Sequence, residues 1–214
     1  MKLTEEILEN LEKLPTGNVA DSCQDNSVMD SGIKPLDQTL HLIGRAVTVK
    51  CAAGDNLALH QGIEAAGKGD VLVFDCNGYT EAGHFGDMMA TSCKGRGIAG
   101  IVIDGSCRDS QDIIKLKYPV FSRGINPATT TKEILGQINV PVVVGGVNVK
   151  PGDIIFGDCD GVVVVSQEVE DEVFEKAMAK YTKEQKIVQE LAKGQSTLSY
   201  YHFDDVIREK SQIR

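Results

Sequence analysis

From Ala46 to Val165 the chain repeats one pattern: a short run of apolar residues, a polar helix-compatible stretch, and a turn marked by Gly or Pro. The runs Ala46-Val-Thr-Val49, Val71-Leu-Val-Phe74 and Gly100-Ile-Val-Ile103 show little of the alternation of a half-exposed strand, so they read as strands covered on both faces. Helical stretches at 56–66, 86–96 and 109–116 fall between or after these runs. Strands joined by helices need crossover connections, which predicts a layered α/β fold with at least part of its sheet parallel. Further on, Val140-Pro-Val-Val-Val144, Val147-Asn-Val149, Asp153-Ile-Ile-Phe156 and Val162-Val-Val-Val165 are separated by Gly145-Gly146, Pro151-Gly152 and Asp160-Gly161, the punctuation of tight turns.

Helices are expected at both ends. Leu3, Ile7, Leu8 and Leu11 recur at helical spacing after Thr4, a suitable N-cap. Pro15-Thr-Gly17 breaks that helix, and Asn18 is expected to cap a second one containing Val19, Ala20 and Asp21. Residues 75–85 read as a loop. After Gln167 an amphipathic helix runs to about Lys193 and stops at Gly194, with Val169, Val173, Ala177, Met178 and Tyr181 able to share a face. Residues 203–211 read as a short last helix. No repeat, low-complexity tract or linker interrupts the chain, so one domain is expected over 1–214, with terminal helices at about 1–26 and 167–214.

Composition removes several classes of function. With 22 Lys+Arg against 31 Asp+Glu the net charge is −9, which opposes general binding of nucleic acid. Trp is absent and aromatics are 5 %, so no stacking platform for bases is expected. The start Met1-Lys-Leu-Thr-Glu-Glu lacks a secretory core, and no apolar run reaches the roughly 20 residues of a membrane helix. The six Cys form no C-x2-C pair, which argues against a zinc ribbon and for reduced thiols. A cytoplasmic protein without membrane contact is the expectation.

One motif is misleading. Gly95-Arg-Gly97-Ile-Ala-Gly100 fits G-x-G-x-x-G, but it follows a helix and opens a strand, the reverse of a dinucleotide site. Its glycines read as a helix stop and a close turn. The segment 83–109 is different. Gly83-His-Phe-Gly86-Asp87-Met88-Met89 precedes a helix start, where free amides and the helix dipole favour an anion. Past the strand ending Ile103-Asp104-Gly105 comes Ser106-Cys107-Arg108-Asp109. Both segments would lie at carboxyl ends of strands, where open sheets place ligands. They offer amide donors, an Arg able to grip a carboxylate, and two Asp suited to a hard cation, Mg²⁺ or Mn²⁺ rather than Zn²⁺.

Each residue also has a plainer explanation. Asp87 and Asp109 stand where helices begin and could be N-caps, and Arg108 could be a surface ion-pair partner. His84 without a partner reads as structural. Asp55, Asn56 and His60 lie at another strand-to-helix junction, as an Asx cap and a helix-face His or as part of the same cleft. Ser22, Ser92 and Ser106 lack a nucleophile elbow, which disfavours a serine hydrolase.

Asp87 and Arg108-Asp109 form D-x20-R-D. They occur with Gly86-Asp-Met-Met-Ala-Thr, Arg96-Gly and Gly-Ile-Val-Ile-Asp-Gly105. Val19-Ala-Asp21, Gly44-Arg-Ala-Val-Thr-Val49, Gly54-Asp-Asn56, Gly69-Asp-Val-Leu-Val73 and Gly157-Asp-Cys-Asp-Gly-Val-Val-Val164 extend the pattern. Over most of its length the chain thus resembles the 4-hydroxy-4-methyl-2-oxoglutarate aldolases and RraA-like proteins, regulators of ribonuclease E activity. Older usage labels members dimethylmenaquinone methyltransferases, but the sequence shows no glycine-rich S-adenosylmethionine loop leading into a helix.

The resemblance implies an α/β/α sandwich like the swivelling phosphohistidine domain, assembled as a homotrimer or dimer of trimers. It implies a carbon–carbon lyase, a class II pyruvate aldolase dependent on Mg²⁺ or Mn²⁺ and acting on a small 2-keto acid, with oxaloacetate decarboxylase activity. By matching positions, Asp109 would hold the cation largely through water, and Arg108 would bind the keto acid. Gly86, Asp87, Met88 and Met89 would offer backbone amides to its carboxylate, and Asp87 would orient metal-bound water. A carboxylate from a neighbouring subunit's C-terminal region completes the site in the family; Glu184 and Glu190 are the candidates here. Phe85 occupies a position that varies among relatives. The alternative within the same resemblance is a regulator that binds a ribonuclease through an acidic surface.

Overall fold

The apolar runs pair into an eight-stranded mixed sheet in the computed structural model, which describes residues 3–23 and 26–211. The ends of the expected terminal-helix ranges, at 1–2 and 212–214, and residues 24–25 lie outside the described residues. In chain order the elements are α1 (Glu5–Leu11), α2 (Thr16–Ala20), β1 (Lys34–Pro35), β2 (Leu42–Lys50), α3 (Leu57–Ala65), β3 (Asp70–Phe85), α4 (Asp87–Gly95), β4 (Gly100–Cys107) and α5 (Ser110–Leu116). Then follow β5 (Val120–Ile125), β6 (Gln137–Ile138), β7 (Val142–Val144), β8 (Val147–Val149), β9 (Ile154–Asp158), β10 (Gly161–Val165), α6 (Glu170–Leu191), α7 (Thr197–Tyr200) and α8 (Phe203–Ser211). The strand order is β1-β5-β4-β3-β2-β9-β10, with β6 on β2. The centre, β2 to β5, is parallel, and the flanking pairs are antiparallel.

Alternation along the strands sorts side chains to two faces. Val47, Leu72, Phe74, Ile101 and Ile103 point to the layer of α3, α4 and α5. On the same face of β2 and β9, Ile43, Ile154 and Phe156 meet α1, α2 and α6 through Leu11, Val19, Val173 and Phe174. Ala46, Val71, Val73, Val102 and Phe121 point the other way, to the hairpin β7–β8 and the Met29–Ile33 segment. Phe74, Phe121 and Phe156 are sealed from solvent, and burying a side chain of this size contributes roughly 1.5–3 kcal/mol.

The layered α/β fold is therefore present, with one difference from an α/β/α sandwich: the second face is covered by a hairpin. Val142, Val144, Val147 and Val149 are buried while Val143 and Asn148 are exposed, a one-sided ribbon that suits such a cover. Its two-residue turn, Gly145-Gly146, has φ of 56° and 76°, which glycine adopts without strain.

Two local expectations are corrected. Asn18 lies inside α2 rather than before it, and its side chain donates to Glu184 Oε2 at 2.6 Å. The helix is capped across the fold by Asp158, which accepts from Thr16 N at 2.9 Å and Thr16 Oγ1 at 2.8 Å. Residues 75–85 are not a loop. β3 stays extended to Phe85, absorbing extra residues in register shifts around Asn77 and Gly78, both at positive φ. That continuation lays Gly83 and Phe85 beside Ser106 and Cys107. At Gly97, φ of 74° ends the turn after α4 and leads into β4, the helix stop expected for the glycine motif there. No helix among the described residues is long and apolar enough to cross a membrane.

Candidate active site

The extended end of β3 aligns the starts of α4 and α5. Arg108 N donates to Phe85 O at 2.8 Å, so Gly86-Asp87 stands next to Arg108-Asp109 despite the sequence between them. Gly86, Asp87, Met88, Met89, Arg108 and Asp109 all line one cleft of about 130 Å³ at the carboxyl ends of the parallel strands.

Two missing side chains create the space that Arg108 uses. A Cβ on Gly83 would lie 2.7 Å from Arg108 Cβ and 2.4 Å from Asn126 O. On Gly86 it would lie 2.6 Å from Asp109 Oδ2 and 3.4 Å from Arg108 Nε. The Arg108 stem thus runs in a groove of bare backbone, with its side chain 37 % exposed. Its Nε is 3.4 Å from Asp109 Oδ2, a contact that leaves most of the guanidinium's donors to a ligand.

Asp109 occupies the N-cap position of α5 without capping it. Its φ is 55° and ψ 33°, left-handed backbone that Asp tolerates better than most residues, and its side chain makes no cap hydrogen bond. Strained backbone of this kind is found preferentially at functional sites. Asp87 is the first residue of α4, after Gly86 at the cap. Its Oδ1 accepts from its own Met88 N at 2.8 Å, and α4 has no side-chain cap, so its first turn keeps the positive end of the dipole open to an anion.

The opposite wall comes from the β2–α3 junction. Asp55 is 1 % exposed and accepts from Leu57 N at 2.9 Å, Thr131 Oγ1 at 2.7 Å and Glu133 N at 2.6 Å. Burial pushes its carboxyl up, but those donors outweigh the burial and hold it below the usual Asp value. Asp55 is an Asx cap and a tie to the 131–133 segment. Asn56 faces the cleft; its Nδ2 donates to His84 O at 3.0 Å, and its buried Oδ1 has no partner among the described residues. His84 is sealed from solvent, and burial pushes its imidazole below the ordinary value. The neutral ring accepts Gly54 N on Nε2 at 3.1 Å, as a structural histidine does. His60 lines the cleft from an exposed position on α3.

Thr130 and Lys132 also line the cleft, and no motif or spacing in the sequence points to them. They belong to the irregular stretch 126–136, which no periodicity marks; it is held by long-range bonds such as Gly83 N to Ala128 O at 2.9 Å and Asn126 Nδ2 to Thr80 O at 3.0 Å. Glu184 bonds Asn18 and Glu190 pairs with Lys193 at 2.8 Å, both on α6.

Among the described residues, the only group of three acidic, His or Cys side chains with converging ligand atoms is Asp158, Cys159 and Asp160, in the β9–β10 turn. There the Asp158 oxygens are taken by Thr16 and by Asp160 N, a structural arrangement. The cleft instead offers Asp109 and Asp87, hard oxygen donors of the kind that suit a hydrated Mg²⁺ or Mn²⁺.

The cleft thus combines a helix start without a side-chain cap, a partly exposed arginine and two acidic groups at the carboxyl ends of the parallel strands, the edge where open α/β sheets place ligands. The profile of the RraA-like family, described as Aldolase/RraA, matches residues 16–164, and the chain belongs to that family. A protein of Halalkalibacterium halodurans with the provisional name 4-hydroxy-4-methyl-2-oxoglutarate aldolase is 40 % identical over 167 residues, 78 % of this chain and 80 % of that one. Among solved structures, an uncharacterized protein from Pseudomonas syringae pv. tomato superposes with a TM-score of 0.80 at 28 % identity, covering 92 % of this chain and 96 % of the other. Streptomyces coelicolor RraAS2, titled an unusual member of the RNase ES inhibitor RraA family, superposes at 0.78 with 28 % identity over 88 % of this chain and 100 % of its own.

Proposed function

We propose that the chain is a divalent-metal-dependent aldolase that releases pyruvate from a small 2-keto acid of the 4-hydroxy-4-methyl-2-oxoglutarate type, and that also decarboxylates oxaloacetate. One observation carries this reading: the Asp109 carboxylate stands at a helix start without capping it, beside Arg108 and in the same cleft as Asp87. A fold-stabilising aspartate at that position would have capped α5.

Asp109 would hold the cation with Asp87 nearby; when bound, it supplies Lewis-acid polarisation of the keto group. The amides of Gly86, Asp87 and Met89, with the α4 dipole, would bind the carboxylate of the keto acid, Met88 N being held by Asp87 Oδ1. Both reactions leave negative charge on the keto oxygen as a carbon–carbon bond breaks. The planar Arg108 fork, its stem seated against Gly83 and Gly86, would stabilise that charge. Asp87 keeps Oδ1 on Met88 N, so Oδ2 is the atom that takes the proton from the donor hydroxyl, directly or through one water. Lys132 adds a second positive charge for the distal carboxylate of a dicarboxylic substrate. The active form would be a homotrimer or a dimer of trimers, which light scattering measures.

The test follows pyruvate from oxaloacetate and from 4-hydroxy-4-methyl-2-oxoglutarate, with Mg²⁺ or Mn²⁺ and with a chelator. Release that stops on chelation and returns with metal is expected. No metal-dependent release from either acid by a folded oligomer would overturn the enzyme reading in favour of a protein-binding regulator, the reading that the name of the Streptomyces relative favours.

A further inference from the structure

We propose that Cys51 and Cys76 form a thiol–disulfide site, oxidised by a low-molecular-weight disulfide, whose closure moves the 52–56 turn that walls the cleft.

The geometry comes from the sheet. β2 and β3 run parallel to a last rung at Lys50 and Asp75, and the strands stay together one residue further, where Cys51 N donates to Asp75 O at 2.8 Å. Cys51 and Cys76 are the next opposed pair. Alternation turns both to the helix-covered face: Cys76 belongs to the core of Leu72 and Phe74, and Cys51 packs against it. Neighbouring strands lie roughly 4.8 Å apart, within the roughly 4.4–6.8 Å between Cα atoms that a disulfide spans.

The hydrogen bond between the two thiols keeps the proton on Cys76 and, together with burial, pushes that thiol well above its ordinary value, while Cys51 Sγ donates to Val49 O at 3.7 Å. Cys76 is sealed from solvent, whereas Cys51 is partly exposed, so Cys51 is the point of entry. The other described cysteines have different surroundings: Cys107 meets Ser122 at 3.4 Å, and Cys159 is exposed in the β9–β10 turn.

The exchange balances with a disulfide R–S–S–R as oxidant. The Cys51 thiolate attacks one sulfur, forming a mixed disulfide and expelling R–S⁻. The Cys76 thiol then loses its proton and attacks the Cys51 sulfur; the second R–S⁻ leaves. Two thiols have lost two protons and two electrons, and the oxidant has become two R–SH. Burial of Cys76 makes this second step the slow one.

The site connects to the cleft through His84. A Cβ on Gly105 would lie 3.0 Å from Cys76 Cβ and 3.4 Å from His84 Nδ1, so Cys76 and the His84 ring border the same space over Gly105. Three residues after Cys51, Gly54 N bonds His84 Nε2, and Asn56 bonds His84 O. Drawing Cys51 onto Cys76 to bonding distance, roughly 2.05 Å between sulfurs, pulls on the start of this turn.

The experiment uses the full chain carrying Cys159→Ser, to suppress links between molecules, treated with glutathione disulfide and then mapped by alkylation and mass spectrometry. The expected result is a peptide linking Cys51 to Cys76, reversed by dithiothreitol. Adding Cys76→Ser is expected to stop the reaction at glutathione on Cys51, and adding Cys51→Ser to prevent both products. Hydrogen exchange at Gly54 and Asn56 should change several-fold in the linked form alone. Melting curves of the reduced variants establish that each is folded before it is scored. A persistent mixed disulfide on Cys51 with no 51–76 link overturns the site, and a link that leaves Gly54 and Asn56 exchange unchanged overturns its effect on the turn. Neither readout depends on pyruvate release, so failure of this inference is distinct from failure of the proposed function.

Discussion

Asp55 and Asp109 stand at equivalent points, each where a parallel strand of the sheet gives way to a helix, and they are used in opposite ways. Asp55 is buried, in ordinary service as an Asx cap, with donors from Leu57, Thr131 and Glu133 on its two oxygens. Asp109 is partly exposed, on left-handed backbone, and makes no cap bond. The same residue type at the same topological point is structure in one case and available chemistry in the other. What separates them is the supply of neighbouring N–H and O–H donors: the 131–133 segment folds over Asp55, while Asp109 has the Arg108 side chain at 3.4 Å and the bare Gly86 backbone beside it.

The contrast can be broken from the Asp109 side first. Asp109→Asn should lower metal-dependent turnover on the order of 10³-fold, since groups that merely orient a metal ligand contribute 10–100-fold. Its unfolding free energy should stay within about 0.5 kcal/mol of the parent, as for a surface change that removes no structural bond. A large loss of stability in denaturant titration would show that Asp109 is a structural residue after all. Arg108→Lys keeps the charge and loses the fork; the expected rise in the barrier is ~2–4 kcal/mol, read from kcat/KM with oxaloacetate. Near-unchanged turnover would remove Arg108 from the mechanism.

Gly86→Ala is expected to reduce turnover roughly 10–100-fold by pushing on the Asp109 carboxylate, the scale of a displacement near 1 Å in an active site. The backbone at Gly86, φ −132° and ψ −174°, accepts alanine, so its melting temperature should barely move. From the other side, Asp55→Asn should lower stability by about 1–3 kcal/mol through its bonds to charged oxygen. The sign with pH follows from its lowered carboxyl value. Stability from Asp55 is present above the unfolded Asp value, near 3.9, and is lost as pH falls through the folded value, so the variant should show a flatter acid limb. His84 acts on a separate window. Its imidazole is also lowered, so its contribution is full above about 6.5 and declines as pH drops below that; His84→Gln should remove this component from a stability–pH profile.

Much of the candidate site was legible because it is local. The apolar run into Ile103 fixes a strand end, and Arg108-Asp109 follows within a few residues; Gly86-Asp87 does the same after β3. Distance in sequence hid the rest. Thr16 is capped by Asp158, and Lys132 reaches the cleft from a stretch whose order depends on bonds to strands far away in the chain. The length of β3 was missed because Asn77 and Gly78 look like a turn, and in three dimensions they are a bulge within a strand. The hairpin cover was readable as strands, but which face it would close was not: that depends on the register of β2, β3 and β4 together.

The groove that holds Arg108 has a consequence for how this site could change its substrate. The Gly83 and Gly86 main chain lies against the Arg108 stem, so a side chain added at either glycine would displace that stem. Met88, 75 % exposed, and the exposed Lys132 stand on the rim of the same cleft and are free of such ties. A library built to exchange one keto acid for another should therefore randomise the rim and leave the anchor intact. On the proposed function, selection on such a library should yield new acceptor shapes while the carboxylate is still bound through Arg108 and the α4 amides.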